Sequence, residues 1–261
     1  MSAMSLACIR GDTTVVSALL QLRVSLVKRC WHMYSCLHLA IQHGHLHVLS
    51  LLLQDPACDG DVLGAADLET RGVLHHAAMQ RDCRFLDLLL AKGCSAEERS
   101  GCGELPLHLA ARHGSFCTVD RLAEVTRDVN AECLAEKSPF LCACEAGNRE
   151  AVEALMKHGA NFKDSDVLYR NTLIVAATGG FTDIVEDLIA LGLSVSSCDR
   201  QKNTALHYAC ARGHVSTVEA LLGHQAPVTA TNVHGQSPLD MAVDNSHSLV
   251  ATLMMAHDRW G

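Results

Sequence analysis

Leu105-Pro106-Leu107-His108-Leu109-Ala110-Ala111 decides the fold, because a near copy, Thr204-Ala205-Leu206-His207-Tyr208-Ala209, returns three periods later in a register that runs the length of the chain. Alanine stands at positions 7, 40, 77, 110, 143, 176, 209 and 242, and every gap is 33 residues except the 37 between Ala40 and Ala77. That gap holds Asp59-Gly60-Asp61-Val62-Leu63-Gly64, whose turn-forming residues read as a four-residue insertion in a loop. Four residues after each Ala, six of the eight units carry Gly, which implies a helix stop, with Arg81 and Ser246 as the departures. Nine residues after each Ala come Val16, Leu49, Leu86, Val119, Val152, Val185, Val218 and Ala251. Three further on stand Leu19, Leu52, Leu89, Leu122, Leu155, Leu188, Leu221 and Met254, on the same helical face. Each unit therefore reads as a short helix through the Ala, a turn, a longer helix and an extended connection. No unit can bury its apolar stripe alone, so neighbours must stack into an all-α solenoid.

The period and the segments Ser35-Cys36-Leu37-His38-Leu39-Ala40, Leu105 to Ala111 and Thr204 to Ala209 resemble the TPLHLAA signature of ankyrin repeats, and Gly159-Ala160-Asn161 resembles that family's second-helix ending. The resemblance covers about residues 5 to 256. It implies one ankyrin-repeat domain over 1-261, with repeats at approximately 1-29, 30-66, 67-99, 100-132, 133-165, 166-198, 199-231 and 232-261. It further implies helix-turn-helix units joined by β-hairpin-like loops, the fingers, around a concave surface that binds proteins without catalysis. Leu141, Ile174 and Asp240 replace the signature His in repeats five, six and eight. The last unit looks like a cap; the first lacks the signature and is either a shortened cap or the start of a piece cut from a longer protein.

Composition agrees with helices and narrows the partners. The chain is 49% hydrophobic but only 4% aromatic, which favours a core of Leu, Val and Ala. A net charge of -8 and no clustered excess of Lys and Arg disfavour nucleic acid. The longest stretch free of Asp, Glu, Lys and Arg, Cys30 to Gln54, holds five His and two Gln and breaks at Gly44, so it is no membrane span. Thirteen cysteines without a disulfide-framework spacing, and no Asn-x-Ser/Thr acceptor, fit a reducing compartment, cytoplasmic or nuclear.

Sixteen His beside thirteen Cys invite a metal site, but no C-x-x-C pair, H-E-x-x-H helix or zinc-finger spacing occurs. In His43-Gly44-His45-Leu46-His47, His45 takes the position where the family has His after the turn Gly. In Cys142-Ala143-Cys144, Cys144 takes the second-Ala position, as Cys8 and Cys210 do, where a small buried thiol substitutes for Ala. His38, His75, His108 and His207 share one repeat position, which points to a copied hydrogen-bonding role where the loop runs into the helix. No nucleophile elbow, phosphate loop or dinucleotide fingerprint is present, so neither catalysis, cofactor nor metal is expected.

The expected binding surface follows from the family geometry. The groove-facing pairs are Ile9 and Arg10, Gln42 and His43, Met79 and Gln80, Arg112 and His113, Glu145 and Ala146, Thr178 and Gly179, Ala211 and Arg212, Asp244 and Asn245. The fingers add Trp31 and Tyr34, Leu68, the Val167-Leu168-Tyr169-Arg170 segment with Leu168 and Arg170, and Arg200. Arg112, Arg170, Arg200 and Arg212 are expected as a basic stripe suited to an acidic or phosphorylated partner. Tyr169 stands where many family loops carry Gly, which leaves open that it packs between fingers. The chain is expected to be a monomeric scaffold or adaptor for a protein partner, with no direct membrane insertion. The alternative is the cytoplasmic ankyrin segment of a larger membrane channel or multidomain regulator, and a third possibility is a thiol or metal sensor.

Overall fold

In the computed structural model, which describes residues 2–26 and 33–258, the chain is a succession of helical hairpins with no strand beyond isolated bridges. The hairpins are α1 (Ala3–Arg10) with α2 (Thr13–Gln21), then α3 (Cys36–Gln42) with α4 (Leu46–Gln54). After a short α5 (Gly60–Leu63) come α6 (Val73–Ala78) with α7 (Arg84–Ala91), α8 (Pro106–His113) with α9 (Phe116–Val125), and α10 (Pro139–Ala146) with α11 (Arg149–Lys157). The stack continues with α12 (Thr172–Gly179) and α13 (Thr182–Ala190), α14 (Ala205–Arg212) and α15 (Val215–Gly223), α16 (Pro238–Asp244) and α17 (Ser248–Asp258). First helices pack on first helices and second on second, each hairpin against its sequence neighbours, so the fold is a helical solenoid.

The recurring alanines make that stacking possible. Ala40, Ala77, Ala110, Ala143, Ala176, Ala209 and Ala242 are completely buried where successive first helices meet, and any larger side chain there would hold the backbones apart. Cys8, Cys144 and Cys210 lie in the same core, and burial pushes the thiols of Cys8 and Cys210 up to about 12. The turn glycines mostly act as expected: Gly147 and Gly180 close their helices in the left-handed region, at φ +70 and +76. Ser246 adopts the same conformation without being glycine, whereas Gly114 is extended, at φ -73.

The insertion expected as a loop is instead the single turn α5. Asp59 caps it, its carboxylate accepting the amides of Asp61 at 3.1 Å and Val62 at 3.3 Å, and the side chain of Val62 is buried in the core. Capping and one buried apolar anchor outweigh the turn preference of its two glycines.

Histidine supplies the rungs between neighbouring units. The Nδ1 atoms of His75, His108 and His207 accept the N-cap amides of Gly72, Leu105 and Thr204 at 3.2, 3.1 and 3.1 Å. Because Nδ1 accepts, Nε2 carries the proton, and it donates to the carbonyl of the following finger: Glu104 at 3.0 Å, Lys137 at 3.1 Å and Gln236 at 3.2 Å. His38 does the same between Ser35 and Arg71. A second set sits just after the turns, where Nε2 of His45, His214 and His247 reaches back to the carbonyls of Ile9, Thr178 and Ala211. His45 is thereby committed to the framework, and among the described residues no group of three or more His, Cys, Asp or Glu is placed to hold a metal.

Candidate protein-binding surface

Each finger is a tight turn opened by a residue at 67, 100, 133, 166, 199 or 232 and closed three residues later by an amide-to-carbonyl bond of 2.8 to 3.0 Å. The closing residue is left-handed throughout: Thr70, Gly103, Glu136, Tyr169, Lys202 and Gly235. Asp67, Asp166 and Asp199 each begin their turn with a buried carboxylate that accepts two amides of that turn, such as those of Leu168 at 2.9 Å and Arg170 at 3.0 Å for Asp166. Burial raises the Asp67 carboxyl, but hydrogen bonds from Arg71 and His76 outweigh it and hold the group at about 2.

Successive finger tips are bonded to one another. The amides of Gly101, Leu134, Arg200 and Val233 donate to the carbonyls of Glu69, Cys102, Leu168 and Gln201. No bond among the described residues joins the Val167 amide to Ala135, so this ladder runs in two parts with a break before the finger that carries Tyr169.

Several tips present exposed apolar side chains. Leu68 is 67% exposed, Leu134 78%, Leu168 51%, Tyr169 56% and Val233 53%, and Val167 is exposed beside them. Tyr169 packs against the next finger while more than half of it stays exposed. It is held at φ +60, a conformation in which a bulky side chain is an outlier, and the Arg200 guanidinium lies over its ring at 4.3 Å from the centroid. Leu134 and Val233 were missed by sequence reasoning, although the register marks them: both stand one residue past a turn opening, as Leu68, Val167 and Arg200 do.

The other expected residues divide into surface and framework. Gln42, His43, His113, Glu145 and Arg212 are exposed at the ends of first helices. Burial and the neighbouring Arg112 cation push His113 below the usual histidine value. Glu145 is held by the Lys137 ammonium at 2.7 Å. Met79 and Gln80 are half-buried, Met79 against the core and Gln80 with its carbonyl accepting the Thr118 hydroxyl at 3.0 Å. Tyr34 is half-buried, stacked on His38 at 5.8 Å and meeting the edge of His76 at 5.4 Å. Trp31 lies outside the described residues.

The basic stripe is not four free cations. Arg112 pairs with Glu104 at 2.7 Å and donates to the Cys142 sulfur at 3.4 Å, while Arg170 is clamped by the buried Asp166 at 2.6 and 2.8 Å. A carboxylate inside the same finger, or on the loop leading into the same helix, neutralises each before a partner could. Arg200 and Arg212 are exposed and form no ion pair among the described residues.

Stacked helical hairpins, copied histidine rungs and a finger between hairpins define a repeat protein of the solenoid class. The family description "Ankyrin repeats (3 copies)" matches residues 74–166 and 173–259, and "Ankyrin repeat" matches 32–63. The chain belongs to the ankyrin-repeat family, whose general role is protein binding and whose members are typically non-catalytic. It is similar to ankyrin repeat protein nuc-2 of Neurospora crassa, 29% identical over an alignment that covers 70% of this chain and 20% of that protein. It is also similar to ankyrin repeat and SOCS box protein 11 of Danio rerio, 37% identical over 42% of this chain and 37% of that one. A transient receptor potential cation channel subfamily A member 1 homolog of Caenorhabditis elegans is 24% identical over 76% of this chain and 16% of the channel. The chain thus spans about a fifth of nuc-2 and less than two fifths of the other two. No helix among the described residues is long and apolar enough to cross a membrane.

Proposed function

We propose that this chain is a scaffold or adaptor that binds one partner protein along its finger tips and the adjoining ends of its first helices, acting as a single domain of eight units and without catalysis. The observation that carries this reading is Tyr169. It is an exposed aromatic held in the left-handed region, at a position where sister fingers carry Gly103, Gly235 or the polar Thr70, Glu136 and Lys202, and the only contact its ring makes among the described residues is with the likewise exposed Arg200. Stacked under Arg200 and flanked by Val167 and Leu168, it has the composition of an interface hot spot. The open Val167 amide and Ala135 carbonyl beside it offer backbone bonds to an extended partner segment. The partner is a protein and not a nucleic acid, consistent with the acidic net charge, and the scaffold works as a monomer inside the cell.

The similarity to short stretches of much longer proteins, a channel homolog among them, supports a second reading in which the same surface belongs to one segment of a membrane channel or multidomain regulator. Proximity labelling in the source cell, with the wild-type chain and a Leu68→Glu, Leu134→Glu, Leu168→Glu variant compared, tests the surface. Partners recovered equally by both would overturn it; transmembrane helices encoded in the same gene would select the second reading.

A further inference from the structure

Cys83 and Cys117 are joined by a disulfide between neighbouring hairpins, with Cα atoms 5.9 Å apart and a sequence separation of 34. The other ten described cysteines are unpaired, six of them buried. Chains built for oxidising compartments pair their cysteines widely, whereas an isolated surface disulfide among reduced thiols is the pattern of a bond made and broken in use. This pair was missed in sequence because the two cysteines stand six and seven residues after their alanines, one step out of register.

Three features set the pair apart chemically. Cys117 is exposed and Cys83 partly so, within reach of small molecules. Cys83 is the N-cap of α7 and Cys117 the second residue of α9, so a thiolate released at either lies at the positive end of a helix dipole, which favours negative charge. The two helix starts are also held together without the disulfide. The Ser115 hydroxyl donates to the Arg81 carbonyl at 2.8 Å and the Thr118 hydroxyl to that of Gln80 at 3.0 Å. Glu150, from the hairpin beyond, accepts both the Arg81 guanidinium at 2.9 Å and the Phe116 amide at 3.1 Å. Opened thiols therefore stay adjacent, and closure competes well with capture by external thiols.

We propose that Cys83 and Cys117 form a reversible thiol–disulfide exchange site for low-molecular-weight thiols of the glutathione class, which locks and releases the seam between the α6–α7 and α8–α9 hairpins. In reduction, a glutathione thiolate attacks the exposed Cys117 sulfur. A new S–S bond forms there, the Cys83–Cys117 bond breaks, and its electron pair leaves on the Cys83 sulfur, which takes a proton from solvent. A second glutathione thiolate attacks the glutathione sulfur of the mixed disulfide, releasing oxidised glutathione and the Cys117 thiolate. One protein disulfide and two glutathione thiols become two protein thiols and one glutathione disulfide, and oxidation is the reverse. The first helices α6 and α8 pack closely, but α7 and α9 touch sparsely beyond the Arg121–Asp87 ion pair at 2.8 Å, so the covalent link adds to the weaker, second-helix part of the seam. Cys102 and Cys198, exposed but unpaired, provide internal controls.

The full chain, equilibrated at graded ratios of reduced to oxidised glutathione, alkylated and mapped by peptide mass spectrometry, tests this. A linked Cys83–Cys117 peptide that appears and disappears reversibly across the series is expected, while Cys102 and Cys198 give only glutathione adducts. The melting midpoint should fall by several degrees on reduction, and amides of α7 and α9 should exchange faster. Cys83→Ser should leave Cys117 as a glutathione adduct and abolish the redox dependence of the midpoint. No linked peptide at any ratio, or a link that no ratio reduces while circular dichroism reports a folded chain, would overturn the exchange site. Equal midpoints for the oxidised and reduced wild type would overturn the lock.

Discussion

The Nε2 atom of His108 donates to the carbonyl of Lys137 across 3.1 Å, while its Nδ1 accepts the amide of Leu105, so one completely buried imidazole joins the start of its own helix to the next finger. Accepting at Nδ1 requires the neutral ring with its proton on Nε2. Burial pushes His108 down to about 4, and lowers His75 and His207 in the same direction. A folded value below the unfolded one means that the folded chain binds fewer protons, so stability is whole above about pH 6.5 and is lost as pH falls towards 4. Urea melts at pH 7.5 and 5 should show the decline, with His108 alone accounting for about 3 kcal/mol once pH reaches its folded value. His108→Ala should cost about 2 to 4 kcal/mol at neutral pH, by stranding a buried amide and carbonyl, and should flatten the profile.

Ala143 and Ala176 are fully buried between first helices that pack directly on one another. Leucine at either position should overpack the seam and cost about 1 to 3 kcal/mol in chemical denaturation. An unchanged denaturation midpoint for both variants would contradict the register on which the stack is built.

Arg170 and Arg212, equivalent as cations in the sequence, should behave differently. Arg170→Ala strips the clamp from the buried Asp166 carboxylate and should cost about 1 to 3 kcal/mol. Arg212→Ala, at an exposed helix end, should change stability by less than about 0.5 kcal/mol. Paired thermal melts separate the two; equal losses would place Arg212 in the framework.

Tyr169→Gly relieves a left-handed tyrosine and should leave the chain as stable or about 1 kcal/mol more so, while weakening partner binding at least about tenfold. Calorimetry or fluorescence titration with the partner recovered by labelling, alongside a melt, reads both quantities. Lower stability with undiminished affinity would make Tyr169 a structural residue.

Leu134→Glu should likewise spare stability, within about 0.5 kcal/mol, because the side chain is 78% exposed and its amide bond to Cys102 is backbone. Loss of affinity in the same titration would place that finger within the interface, and unchanged affinity would confine it to the Tyr169 finger.

What the sequence determined by itself was periodic. The alanine register, the hairpin pattern, the turn glycines, the burial of Cys8, Cys144 and Cys210 and the framework role of the signature histidines all follow from copies of one local solution, because each unit meets the same neighbours in the same way. Tertiary structure alone decided what differs between copies. It paired Arg112 with Glu104 and Arg170 with Asp166, turned the Asp59 insertion into a helical turn, left the finger ladder open before the Tyr169 finger, and brought Cys83 against Cys117. Repetition reports which positions face the neighbouring unit. Which charge turns towards a counter-charge within its own unit, and which thiol meets another about a repeat away across a seam, depends on side-chain positions that packing sets.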